Sequence, residues 1–130
     1  MRIAAMLFAV ATLFACQESL PQRCAREAKL YTAKNCPAKI SDNITLDSLT
    51  FSENDSTIGY YYSVTGLIDS TELMAAHREE YYGVLKKDIR NATSLKSYKE
   101  AGFKFSYTYL STKNKGKVLL SLKYKPEDYE

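Results

Sequence analysis

Any chemistry this chain performs through side chains has to start from one histidine and three cysteines. His77 has Glu72 and Glu80 as its best carboxylate neighbours, but both are surface groups by helical phase. Glu79 and Glu80 adjoin Tyr81 and Tyr82, and consecutive helix residues point apart, so they form a solvated edge and not an acid/base pair. No nucleophile with an orienting group is marked near the imidazole, so no triad assembles. Cys36 is a thiol nucleophile in principle only, since in an exported protein it is expected to be oxidised or inert. There is no Cys-x-x-Cys, no histidine pair at helical spacing and no alternating acidic loop, which leaves no zinc or calcium pattern. The five glycines are scattered and cradle no phosphate. The expectation is therefore a protein that is not an enzyme and carries no metal or cofactor.

The cysteines have other uses. Met1 to Ala15 carries one positive residue and then an apolar run of signal-peptide length, too short to span a bilayer. Leu13, Phe14, Ala15 and Cys16 resemble a bacterial lipobox, whose cysteine is lipidated and becomes the mature N-terminus. Phe14 departs from the small or β-branched residue usual there. Assigning Cys16 to a lipid leaves Cys24 and Cys36 as an even pair. A bridge between them would close a short loop and stabilise by roughly 2–3 kcal/mol.

Charge is nearly balanced. The formal net charge of +3 falls to +2 once Arg2 leaves with the signal, too little to imply nucleic acid as a partner. The densest feature is Lys113, Lys115, Lys117, Lys123 and Lys125. Charge on an outer strand is expected to keep sheets from pairing edge to edge, and the secondary reading is a weak docking face for an anionic envelope polymer. Eleven tyrosines and no tryptophan point to a half-wet sheet whose aromatic bulk carries hydroxyls.

These residues need a frame. Ile68 to Ala92 reads as the main helix, started by Asp69 as N-cap with Glu72 closing a capping box. Met74, Tyr81, Leu85, Ile89 and Ala92 share one stripe, interrupted by Arg78. Gln17 to Asn35 begins as tether and becomes a short helix after Pro21, and Pro37 to Asn43 is a linker. Ile44 to Phe51 alternates with a slip that reads as a bulge near Asp47 and Ser48. Thr57 to Thr65 completes a hairpin. After a short helix ended by Gly102, Phe103 to Tyr109 and Val118 to Tyr124 form a second hairpin, with Val118, Leu120, Leu122 and Tyr124 inward. The expected architecture is α+β: a four-stranded antiparallel sheet in β-β-α-β-β order, with one main helix on a face and a short helix before it. Residues 1–15 read as signal peptide, 16–43 as tether, short helix and linker, and 44–130 as one domain. On the face opposite the main helix, Tyr61 and Leu119 are the expected contact residues, beside Lys117, Lys123 and Lys125.

Cys36-Pro37, Thr45-Leu46-Asp47-Ser48, Tyr60-Tyr61-Tyr62 and Gly102-Phe103-Lys104-Phe105 resemble segments of small exported or lipid-anchored bacterial envelope proteins of unknown function. The resemblance spans residues 36–129 and implies export, but it supplies no functional residue. The functional expectation is a cell-envelope lipoprotein acting as a non-catalytic binding or structural module. It would be held to a membrane by its N-terminal lipid and would meet an envelope protein or polymer. The alternative is a small inhibitor or immunity-type protein, with a cryptic enzyme behind both.

Overall fold

The computed structural model describes residues 17–130, so the expected signal peptide and Cys16 lie outside the described residues. The sheet has five strands, β1 (Ala38–Ser41), β2 (Ile44–Ser52), β3 (Thr57–Val64), β4 (Lys104–Ser111) and β5 (Val118–Tyr124), lying side by side in chain order. Four strands were expected. The additional one, β1, falls in the segment read as a linker and pairs Ala38 with Leu46 and Ser41 with Ile44. Its one large apolar residue, Ile40, is exposed, so β1 shows no core-facing alternation to reveal it.

The sheet is also mixed and not antiparallel. β3 and β4 run parallel in continuous register from Thr57 opposite Lys104 to Val64 opposite Ser111. Helices separate these two strands in the chain, and a helical crossover returns the backbone to the end of the sheet where β3 began, so the next strand points the same way. Side-chain alternation reports which face a residue takes and is silent about strand direction.

Two bulges set the faces. In the β2–β3 hairpin Leu46 opposes Tyr62 and Ser48 opposes Tyr61, leaving Asp47 as the extra residue where the slip predicts it. The Ser63 hydroxyl donates to its carboxylate. In the β4–β5 hairpin Tyr109 opposes Leu120 but Leu110 opposes Val118, which leaves Leu119 unpaired. The expected phase is reversed at that point: Leu119 is 6% exposed and in the core, and Val118 is 49% exposed.

Helix α1 (Leu20–Asn35) is longer than expected and belongs to the folded unit, which therefore starts well before Ile44. Ser19 accepts from the Gln22 N–H at 3.2 Å and Gln22 returns to the Ser19 N–H at 2.9 Å, a capping box with Pro21 in the first turn. Cys24 and Ala28 enter the core. Beyond the first residue of β1, the Thr32 hydroxyl of α1 accepts from the Leu49 N–H at 2.9 Å, satisfying the edge of β2 that no strand covers.

The expected main helix is divided at His77 (φ −97°, ψ 6°) into α2 (Thr71–Ala76) and α3 (Arg78–Asn91). Ser70, not Asp69, is the N-cap, accepting from the Leu73 N–H at 3.2 Å. Asp69 is buried and instead accepts from the Thr112 and Lys113 N–H groups at 3.1 and 2.9 Å, tying the β4–β5 turn to the start of the helix. The predicted stripe holds: Met74 and Ile89 are fully buried, and Tyr81, Leu85 and Ala92 half-buried. Arg78, its exception, reaches sideways to the Ser121 carbonyl on the outer edge of β5 at 3.2 Å. Two short helices, α4 (Lys96–Glu100) and α5 (Pro126–Tyr129), close the ends. The Tyr129 hydroxyl donates to the Phe103 carbonyl at 2.7 Å.

Helices α1, α2 and α3 all pack on one sheet face, around Phe105, Leu122, Val64 and Tyr124. Each such buried side chain contributes about 1.5–3 kcal/mol relative to exposure. Among the described residues, no helix packs on the other face.

Candidate functional site

Between α1 and α3 the shared sheet face is not fully covered. A cleft of about 530 Å³ opens there, with Cys24, Ala28 and Tyr31 on one wall and Leu85, Asp88 and Ile89 on the other. Ala92, Ser94, Leu95 and Tyr98 close one end. The cleft floor is formed by Tyr60 and Tyr62 of β3 and Tyr107 of β4, with Leu46, Leu49 and Ile58 beside them. Tyr60 stacks on Tyr107 with ring centroids 4.6 Å apart, and Tyr62 stacks on Tyr109 at 4.7 Å. Their spacing follows from register, since Tyr60 opposes Tyr107 and Tyr62 opposes Tyr109, so like rings on one face meet across the strand pair.

The cleft surface is largely apolar, with an acidic rim. Burial pushes the hydroxyls of Tyr60 and Tyr109 up to about 12, and those of Tyr62 and Tyr107 higher still. These phenols remain neutral throughout the physiological range. The Cys24 thiol is likewise raised by burial to about 11, with the Glu27 charge adding to the effect, so it is held as an unreactive thiol. Glu27 on α1 and Asp88 on α3 stand on opposite walls. Glu27 accepts from the Tyr98 hydroxyl, and the Arg23 guanidinium lies 5.3 Å above the Tyr98 ring, which fastens α1 to α4 at that end.

The residues selected from sequence are dispersed. Cys24 and Cys36 are free thiols, and the bridge expected between them is not formed. One lies within α1 and the other caps its C-terminus, so at about 1.5 Å per residue they stand roughly 18 Å apart, against about 7 Å for a bridge. His77 is exposed and faces Glu80 at 3.4 Å. Among the described residues no three His, Cys, Asp or Glu side chains could hold a metal ion together, and no helix is long and apolar enough to cross a membrane.

Of the expected binding face, Tyr61, Lys123 and Lys125 do meet, on the bare side of the sheet, around a second depression of about 570 Å³. Lys117 lies in the turn before β5 and lines no part of it, and Leu119 is withdrawn into the core by its bulge. Helix α1 packs on the opposite face and lines no part of this one. The wall residues Glu27 and Asp88 were not expected from sequence to line a site. The spacing of Cys24, Ala28 and Tyr31 on α1 was a signal that the helix has a buried side, but it carried no indication that the side would face α3.

No curated protein matches the chain. Among solved structures, a Pseudomonas aeruginosa protein assigned as secreted superposes with a TM-score of 0.68 at 13% identity, covering 88% of this chain and 100% of that one. The pilotin EpsS of the Vibrio vulnificus type 2 secretion system gives 0.54 at 9% identity, covering 85% and 92%. The type II secretion system pilotin AspS of Vibrio cholerae gives 0.55 at 15%, covering 84% and 91%. At these identities the likeness is one of fold. A family model described as Domain of unknown function (DUF8479) matches residues 19–120, from the N-cap of α1 to the middle of β5, and the chain belongs to that family.

Proposed function

We propose that this protein is an exported, lipid-anchored envelope module that acts by binding, and that the cleft between α1 and α3 receives an apolar segment of an envelope protein. The observation that carries this reading is the cleft itself. It is open, largely apolar, floored by stacked tyrosines, and its one thiol is unreactive, a combination suited to holding a ligand and not to transforming one. The acidic rim of Glu27 and Asp88 favours a segment flanked by basic residues. Two proteins of this fold are pilotins of type II secretion systems, which supports an accessory role at the envelope. If Cys16 carries the lipid, Gln17 and Glu18 are the only residues before the Ser19 cap, a tether of about 10 Å at full extension that keeps the domain close to the bilayer.

The test uses an uncharged apolar fluorescent dye, N-phenyl-1-naphthylamine, on the folded mature protein. One dye per protein should bind, Ala92→Trp should abolish binding by filling the end of the cleft, and Tyr61→Ser on the bare face should leave it unchanged. Absence of dye binding in the wild type, or equal binding by Ala92→Trp with an unaltered melt, refutes the cleft as the site.

A further inference from the structure

The uncovered face of the sheet has a chemistry of its own. Its depression is lined by strands and their connections alone, and the cross-strand rows place hydroxyls side by side: Ser106 opposes Gly59 and Lys123, and Thr108 opposes Tyr61 and Ser121. Gly59 is buried in the centre. A Cβ there would meet the Thr50 hydroxyl at 2.8 Å and the Tyr61 ring at 3.3 Å, so the absence of a side chain lets Tyr61 lean along its strand over the glycine. The half-exposed ring becomes a platform on the sheet and not a projecting side chain.

Charge is arranged along one side. Lys104, Lys123 and Lys125 border the depression, and among the described residues none of them is in an ion pair. The one carboxylate in the lining is Asp55, at the β2–β3 turn, whose hydrogen bond from Thr57 comes first among the causes that hold it below the usual range, with Lys104 a lesser one. Three ammonium groups against one carboxylate leave the face positive.

From this arrangement we infer that the bare sheet face binds an acidic polysaccharide. An aromatic platform accepts the C–H face of a sugar ring, rows of Ser and Thr hydroxyls exchange hydrogen bonds with its hydroxyls, and the lysines pair with its carboxylates. A polyphosphate or nucleic acid would engage the lysines but leave the hydroxyl rows and Tyr61 unused. This site is independent of the cleft, on the opposite side of the sheet, and a protein so equipped could hold a polymer and a protein segment together.

The experiment is affinity electrophoresis of the mature protein through native gels containing polygalacturonate, neutral dextran or sodium polyphosphate. Polygalacturonate should retard the protein in a salt-sensitive manner, dextran should not, and polyphosphate should retard it less. The pair Lys104→Gln and Lys123→Gln should weaken polygalacturonate binding at least tenfold. Tyr61→Ser, which keeps every charge, should weaken it about fivefold without altering polyphosphate retardation, and Ala92→Trp in the cleft should leave it intact. Circular-dichroism melts confirm that each variant is folded. No retardation by polygalacturonate, or equal retardation by polyphosphate with Tyr61→Ser indistinguishable from wild type, overturns the proposal.

Discussion

Asp69 shows how a residue can be recognised as important and given the wrong task. Its place before an apolar stripe suggested an N-cap, but Ser70 takes that role and the Asp69 carboxylate goes to the backbone of the β4–β5 turn. The Ser111 hydroxyl first, then the Lys113 and Thr112 N–H groups, hold its carboxyl below the usual range. A depressed folded pKa contributes stability that is complete above the unfolded value, about 3.9, and is lost as pH falls through the folded one. The melting-temperature advantage of wild type over Asp69→Asn should therefore be full at pH 7 and shrink on acidification below about pH 4; an advantage independent of pH would refute the assignment. The cysteines yield a second residue-level prediction. Alkylation of freshly isolated native protein should modify half-buried Cys36 ahead of buried Cys24, and non-reducing mass mapping should find no peptide joining them. Counting thiols suggested a bridge because parity ignores geometry; the helix between them forbids it.

At the level of elements, what was legible were features written in local periodicity. The stripe on α2 and α3, the bulge at Asp47 and both hairpins follow from spacing of apolar residues, because each element must bury one side. Strand direction across β3 and β4 was not legible, nor was the β1 edge, since neither depends on a local apolar pattern. The cleft was hidden for the same reason: it arises from two helices far apart in sequence settling on one face. Leu85 illustrates the difference between stripe and core. It belongs to the apolar stripe but is half-exposed on the cleft wall, whereas Leu122 on β5 is completely buried. Leu122→Ala should cost about 2–5 kcal/mol in chemical denaturation, and Leu85→Ala clearly less. Equal losses would mean that the cleft is closed in solution.

For the whole molecule, the tyrosine-rich interior dictates an alkaline limit. Burial raises the hydroxyls of Tyr60 and Tyr109 to about 12, with Tyr62, Tyr107 and Tyr124 higher, so the folded state retains protons that the unfolded chain releases near pH 10. Stability is complete below the unfolded value and lost as pH rises through the folded ones. Melts should stay constant to about pH 9 and fall steeply beyond about 10, with the phenolate absorbance of the buried tyrosines appearing together with unfolding. Anchoring is tested by Cys16→Ser, which should move the protein from the membrane fraction to the soluble one; unchanged partitioning would contradict lipidation. The binding role proposed for the cleft between α1 and α3 requires that a protein segment lie in it in the cell. Photo-crosslinking in intact cells addresses it most directly, with benzoylphenylalanine placed at Leu85 or Ser94 in the cleft and at Thr108 or Ser121 on the bare face. The two cleft positions should yield a common protein adduct that disappears with Ala92→Trp; protein adducts from the bare face alone, or cleft adducts that survive Ala92→Trp, would contradict the account.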